Sequence, residues 1–155
     1  MTETAASARR LALGAFRRAP RFLRRAAVRL VSPHYVLGAV CVLRHRDHVL
    51  LVRQRHDVED GWSLPGGLLR RGELPAAGLA RELAEELDLV VRLGEQPTLT
   101  LVVPHRKRVD LVFEVRVEHR PEVTVDGLEV VRAEWRPVAD SGATLATAEI
   151  LRMLS

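Results

Sequence analysis

Hydrophobic and polar positions along residues 34–155 predict strands and helices in mixed order. The apolar, β-branched run at residues 35–43 predicts a strand, and residues 49–53 are expected to pair with it across a polar turn. Further strands are predicted at residues 89–93, 98–103, 109–117 and 130–136, and helices at residues 75–87 and 143–154. This order of strands, helix, strands and helix is typical of an α/β layered domain with a mixed β-sheet.

The helix predicted over residues 75–87 carries two different faces. Its apolar face, expected to pack on the sheet, comprises Ala76, Ala80, Leu83 and Leu87. Beside it, Glu82, Glu85 and Glu86 fall within an arc of about 100°. Three like charges at this spacing repel one another unless water solvates them or a polyvalent cation lies among them. A solvated surface and a cation site are both compatible with these residues, and hard oxygen ligands would select Mg²⁺ or Mn²⁺.

Residues near the start of this helix extend the acidic pattern. Gly66 and Gly67 follow a proline, which predicts a loop. Glu73 lies just before the helix, within reach of Arg81. Arg81 precedes Glu85 by four positions, so it can orient that carboxylate.

The spacing of these residues resembles the signature of the Nudix hydrolase family, G-x5-E-x7-R-E-U-x-E-E-x-G-U, where U is bulky and aliphatic. Gly67, Glu73 and the run from Arg81 to Leu89 match every fixed position but one, where Asp88 replaces the final glycine. The composition of the chain would produce this set by chance with a probability of about 10⁻⁴. The resemblance implies a Nudix-like α/β/α sandwich with a mixed sheet. At the end of the helix, Asp88 is expected to adopt the left-handed conformation that glycine usually supplies there.

Nudix enzymes use divalent cations to cleave a nucleoside diphosphate linked to another moiety, by attack of water on phosphorus. The resemblance implies that Glu82, Glu85 and Glu86 bind Mg²⁺ (or Mn²⁺), and that one of them, with Glu82 preferred, is the general base. It also implies that the backbone carbonyl of Gly67 approaches the metal. Arg81 and Glu73 complete the catalytic set, with Glu73 supporting the ligands from behind.

Candidate residues also lie outside the signature. Many family members take a further carboxylate from a distant loop, and Glu129 is preferred to Glu134 because it follows a turn-like segment. Arg53 and Arg55 precede the glycine loop, where they are candidates to bind substrate phosphate or are solvated charges without a function.

The basic residues are concentrated in an N-terminal arm. Residues 1–33 hold eight arginines and one acid, whereas residues 34–155 carry a small negative net charge, so we expect a basic amphipathic helical arm (1–33) and a Nudix hydrolase domain (34–155). Proline at position 20 divides the arm into two helical patterns. Three interpretations stay open: the arm docks on the domain or on a second subunit of a homodimer, it lies on an anionic membrane surface through residues 1–32, or it is a cleaved transit peptide.

The remaining composition narrows the function. A single cysteine excludes an internal disulfide framework and a cysteine-rich zinc site, and the chain lacks an apolar run of membrane-spanning length. Aromatic residues are not interleaved with the arginines, so no specific nucleic acid is expected as partner. We therefore expect a cytoplasmic enzyme, peripheral to the membrane if the arm binds lipid.

The resemblance implies Mg²⁺-dependent hydrolysis of a diphosphate linkage in a small nucleotide. Three substrate classes stay open: a nucleoside triphosphate, ADP-ribose or another nucleotide-sugar, and a dinucleoside polyphosphate. A different class of protein also stays open, namely a catalytically weak nucleotide-binding or regulatory module with the same fold. The arm adds a third possibility, a membrane-tethered protein.

Overall fold

The computed structural model describes residue 16 and residues 19–55 and 61–155. It divides into two compact units, Met1–His34 and Tyr35–Ser155. The first contains helix α1 (Arg21–Val31), which matches the second helical pattern of the arm. The pattern before Pro20 lies almost entirely outside the described residues. Among the described residues, no helix is both long and apolar enough to cross a membrane.

Six strands and two further helices build the second unit. The strands are β1 (Val36–His45), β2 (His48–Gln54), β3 (Gly66–Leu68), β4 (Leu99–Val103), β5 (Arg108–Arg116) and β6 (Val130–Pro137). The helices are α2 (Pro75–Leu87) and α3 (Leu145–Met153). Short 3₁₀ turns, Pro104–Arg106 and Val138–Asp140, follow β4 and β6.

The strands form one mixed sheet in the order β4-β5-β1-β2-β6, with β3 also paired to β1. β1 runs parallel to β5, and the other pairs are antiparallel. β1 and β2 pair directly only beside their hairpin turn, at Arg44–Val49 and His45–His48. Farther along, β3 pairs with β1 at Gly38–Val40. This arrangement confirms the α/β sandwich and brings the glycine segment, expected as a loop, into the sheet.

Two apolar layers cover the sheet. Leu79, Leu83 and Leu87 of α2 are fully buried on one face, and Ile150 and Leu151 of α3 are buried on the other. Burying a leucine side chain of this kind contributes about 1.5–3 kcal/mol. These layers therefore hold both helices on the sheet.

The buried face of α2 is rotated relative to the face expected from the sequence. Ala80, expected to pack on the sheet, is exposed, whereas Glu86 is buried. Both side chains lie about 60° from Leu83, on opposite sides of it. The helix therefore rolls toward its acidic side and carries Glu86 into the protein.

The strand expected at residues 89–93 is wrong. Leu89 is buried, Val90 is 90% exposed, and Val91 and Leu93 are half-buried against the core. This alternation is the pattern that predicted a strand, but no ladder pairs the segment with the sheet. Period-two burial indicates an extended chain on a core, and a strand also needs a neighbouring backbone.

Asp88 ends α2 in the left-handed conformation, with φ 50° and ψ 36°. Its backbone N–H donates to the carbonyls of Ala84 and Leu83, and that of Leu89 also donates to Leu83. The expected conformation is thus confirmed. An L-residue pays a steric penalty in this region that glycine avoids.

We predict that Asp88→Gly raises the free energy of unfolding by about 0.5–1 kcal/mol, because it removes this strain and a negative charge from the helix C-terminus. Urea denaturation at pH 7 measures the change. Asp88→Ala should be less stable than Asp88→Gly, since alanine keeps the Cβ penalty. Equal stability of the two variants would contradict this account.

Candidate functional site

A cleft of about 840 Å³ opens between the acidic side of α2, the β4–β5 hairpin and the first turn of α3. Five glutamates line it: Glu82, Glu85, Glu86, Glu129 and Glu149. Four arginines line it as well: Arg70, Arg81, Arg106 and Arg108. Both signs of charge therefore face the same space, and its volume is that of a typical small-molecule site.

Glu86 has the most unusual environment of these carboxylates. Only 4% of the residue is exposed, and its Oε2 atom has no hydrogen-bond partner among the described residues. Burial, followed by the charges of Glu82, Glu129 and Asp126, raises its pKa to about 7. A buried carboxylate in this setting takes up either a proton or a cation.

Arg81 joins three of the predicted residues. Its Nε and Nη2 atoms donate to Glu73 Oε1 and Oε2 at 2.9 and 3.1 Å. Its Nη1 donates to Glu82 Oε1 at 2.7 Å and to Glu85 Oε2 at 3.0 Å. The guanidinium of Arg81, with the backbone N–H of Arg70, lowers the pKa of Glu73 to about 2. The structure thus brings Glu73, Arg81, Glu82 and Glu85 into one charged network.

This network determines the positions and the partners of the carboxylates when no ligand is bound. Among the described residues, no three His, Cys, Asp or Glu side chains already lie close enough together to hold a metal ion. One guanidinium nitrogen of Arg81 instead neutralises Glu82 and Glu85 together. A cation would therefore compete with Arg81 for these two carboxylates.

Gly67 lies in β3, directly against Glu82. A Cβ atom at Gly67 would stand 2.6 Å from the carboxyl carbon of Glu82, well inside van der Waals contact. Only a glycine allows the Glu82 side chain to lie over the strand in this position. The close approach of Glu82 therefore explains on steric grounds why this position of the signature holds a glycine.

The two acids considered outside the signature lie in different places. Glu129 ends the turn before β6 and lines the cleft. Glu134 lies within β6 and pairs with Arg132 at 2.6 Å and Arg136 at 3.0 Å. The structure thus brings Glu129 to the other glutamates and pairs Glu134 with neighbouring strand arginines.

Neither Arg53 nor Arg55 is among the described residues that line the cleft. The guanidinium of Arg53 lies 5.3 Å from the ring centre of Trp62. The guanidinium of Arg55 donates to the carbonyls of Gly127 and Leu128. Their expected contact with phosphate stays a prediction.

Arg70 and Asp110 line the cleft but were missed as site residues in the sequence. Arg108 Nε donates to Asp110 Oδ1, and Asp110 is buried to 7% exposure. The only local signal was their spacing of two in a strand, which places both side chains on the same face. That signal does not tell which face meets the cleft.

Comparison with known proteins places these residues in a family. The family model described as "NUDIX domain" matches residues 33–154. The "Putative 8-oxo-dGTP diphosphatase 2" of Mycobacterium tuberculosis is 38% identical over 120 residues, which cover 69% of this chain and 82% of that protein. "Nudix hydrolase 7" of Arabidopsis thaliana is 27% identical over 111 residues and 66% of this chain. The chain spans only 39% of that plant protein.

A solved structure shares the fold. The MutT NUDIX hydrolase from Burkholderia pseudomallei superposes with a TM-score of 0.67, at 20% identity, over 79% of this chain and 99% of that one.

We predict that Glu86→Gln stabilises the cation-free protein at alkaline pH. Because the folded pKa of Glu86 is raised to about 7, the folded state binds more protons than the unfolded state between about pH 4.5 and 7, so wild-type stability falls as pH rises through this interval. Glutamine removes that loss. In EDTA at pH 8 the variant should melt about 4 °C above wild type, and the gap should narrow toward pH 5.

Glu118→Gln is the matched control, because Glu118 is exposed. Its melting temperature should equal that of the wild type at both pH values. A Glu86→Gln melting temperature that equals wild type at pH 8 would contradict the raised pKa.

Proposed function

The chain belongs to the NUDIX domain family and is a Nudix-type hydrolase, and on this premise we propose that it hydrolyses a nucleoside triphosphate to the monophosphate with the help of Mg²⁺. The observation that supports this proposal most strongly is the buried Oε2 atom of Glu86, which has no partner among the described residues. Glu86 lines the cleft together with four other glutamates. A carboxylate oxygen in that position is a natural ligand for a divalent cation.

The donor set fits a hard cation. We assign its ligands to the carboxylates of Glu82, Glu85, Glu86 and Glu129, with the backbone carbonyl of Gly67 as a further oxygen. All are oxygen donors, which suits Mg²⁺ or Mn²⁺ better than softer metals. When bound, the cation neutralises diphosphate charge and acidifies water.

The side chains around these ligands divide the remaining work. Glu73 holds Arg81 by a two-pronged ion pair, and Arg81 in turn orients the carboxylates of Glu82 and Glu85. The general base belongs to this glutamate cluster. It accepts a proton from water as the new P–O bond forms and the phosphoanhydride P–O bond breaks. Arg70 and Arg106 face the cleft and supply positive charge for the phosphates.

The name of one relative favours a nucleoside triphosphate as the substrate class. The Mycobacterium relative, which shares 38% identity with this chain, is named as an 8-oxo-dGTP diphosphatase. The cleft volume of about 840 Å³ also accommodates a nucleotide. On this assignment the products are a nucleoside monophosphate and pyrophosphate.

We predict that the wild type with Mg²⁺ converts nucleoside triphosphates, 8-oxo-dGTP among them, to monophosphate and pyrophosphate. Glu86→Gln should lower kcat by about 100-fold or more, because it removes an anionic ligand. Phosphorus NMR in ¹⁸O-labelled water identifies the products and the phosphorus that is attacked. The panel includes ADP-ribose, NADH, nucleotide-sugars and dinucleoside polyphosphates, with Glu118→Gln as the control.

Other outcomes would change the assignment. Turnover of ADP-ribose or a dinucleoside polyphosphate instead would keep the reaction type and replace the substrate class. Nucleotide binding without turnover, in either Mg²⁺ or Mn²⁺, would favour the regulatory module over the enzyme.

We also propose that α1 binds an anionic membrane surface. All of its charged residues are arginines, and they fall within about 140° of the helix: Arg21, Arg24, Arg25 and Arg29. Leu23 and Leu30 lie on the other side, and Phe22 lies at the edge of the arginine arc. Arginines on one face with large apolar side chains on the other are typical of helices that lie in the plane of a membrane interface.

We predict that the full chain cosediments with vesicles of equal phosphatidylglycerol and phosphatidylcholine but not with phosphatidylcholine alone. Leu23→Gln with Leu30→Gln should abolish cosedimentation, and high salt should weaken it by screening the arginines. Val90→Gln, at an exposed position of the second unit, is the control. If the double leucine variant and Val90→Gln cosediment equally with the anionic vesicles, α1 does not provide the membrane contact. That result would favour docking of the arm on protein.

A further inference from the structure

The turn that carries Glu129 into the cleft is tied to the end of β2 by a single residue. Three donors of Arg55 reach three successive carbonyls of that turn. Its Nη2 donates to Gly127 at 2.6 Å, its Nε donates to Leu128 at 3.0 Å, and its backbone N–H donates to Glu129 at 2.8 Å. Arg55 therefore contacts every residue from Gly127 to Glu129 along their backbone.

Asp126 holds the same turn from within. Its carboxylate accepts the N–H groups of Leu128, Glu129 and Val130 at 3.1 to 3.3 Å. Its own N–H donates to the backbone carbonyl of Glu86 at 3.0 Å. The turn is thus fixed to the end of α2, at the residue whose side chain lies buried in the cleft.

An irregularity in the β2–β6 ladder places the turn opposite Arg55. Arg53 pairs with Arg132, but Gln54 pairs with Val130, so Val131 is the extra residue of a bulge. Val130 is consequently fully buried while Val131 is 42% exposed. Bulges of this kind re-aim side chains beside functional sites, and here Glu129 immediately precedes the re-aimed residue.

The glutamates in this cleft repel one another. A turn of exposed residues would relieve that repulsion by swinging the Glu129 carboxylate into water. Holding it in the cleft requires backbone contacts that outweigh the repulsion. Arg55 and Asp126 together supply seven such contacts among the described residues.

We propose that Arg55 is a positioning residue that holds Glu129 in the cation site by binding the carbonyls of its turn. The inference rests on the proposed function only in that Glu129 is taken as a cation ligand. It assigns to Arg55 a contact with the protein backbone in place of one with substrate phosphate. A planar guanidinium donates from Nε and Nη2 in a fixed fork, whereas a lysine ammonium keeps the charge without that geometry.

The test measures Mn²⁺ binding to the full chain by electron paramagnetic resonance, in the absence of nucleotide. Arg55→Lys should weaken Mn²⁺ binding by about 10- to 100-fold, as loss of the contacts that orient a ligand does. Glu129→Gln should weaken it to a similar degree. The double variant should bind no more weakly than the weaker single variant, because both changes remove the same ligand.

Kinetics supply a second readout. In Arg55→Lys the Mg²⁺ concentration for half-maximal rate should rise by a similar factor, while KM for the nucleotide at saturating Mg²⁺ stays within about twofold of wild type. Asp126→Asn loosens the same turn from within and should weaken Mn²⁺ binding in the same direction. Arg116→Lys is the matched control, because Arg116 is an exposed arginine that pairs with Glu114 away from the cleft.

Each outcome decides between the alternatives. Unchanged Mn²⁺ affinity in Arg55→Lys with a raised nucleotide KM would overturn the proposal and make Arg55 a phosphate contact. Losses that multiply in the double variant would overturn it too, since the two residues would then act independently. Wild-type protein that turns over nucleotide without binding Mn²⁺ or Mg²⁺ would instead refute the proposed cation chemistry itself.

Discussion

The packing of α2 on the sheet determines where the acidic side chains of its face stand. Leu79, Leu83 and Leu87 are fully buried, and they define the face of the helix that packs on the sheet. Because this packed face extends toward the acidic side of the helix, Glu86 is buried, Glu82 is half-buried and Glu85 is exposed. One apolar contact surface thus creates three different environments for three chemically identical groups, and their different solvation follows from it.

Charge balance then becomes the main constraint on the site. The Arg81 guanidinium is divided among Glu73, Glu82 and Glu85, whereas the Oε2 atom of Glu86 has no hydrogen bond among the described residues. The carboxylate that α2 buries most deeply is therefore also the one whose Oε2 atom lacks a partner in the described part of the chain. A buried carboxylate without a partner takes up either a proton or a cation, and under the proposed function it binds a cation.

The remaining parts of the site come from segments far from α2 in the sequence. β3 enters where β1 and β2 have separated, and it brings Gly67 against Glu82. The turn before β6 approaches the end of α2 because a bulge shifts the ladder and Arg55 holds its carbonyls. Irregular pairing is thus the device that brings three separate segments to one cleft, since a regular ladder would direct those residues elsewhere.

What the sequence by itself determined is the part whose physics is local. Helix α2 begins at Pro75 and ends at Leu87 as expected, and the left-handed Asp88 could be foreseen, because caps and turns depend on neighbours within a few residues. Only the tertiary structure decided the roll that exposes Ala80, the missing partner of residues 89–93, and the position of Arg55 beside the Glu129 turn. Each of these features depends on which backbone segment lies next to the residue. That is determined by strand pairing and helix packing between residues far apart in the sequence, and no local sequence pattern contains this information.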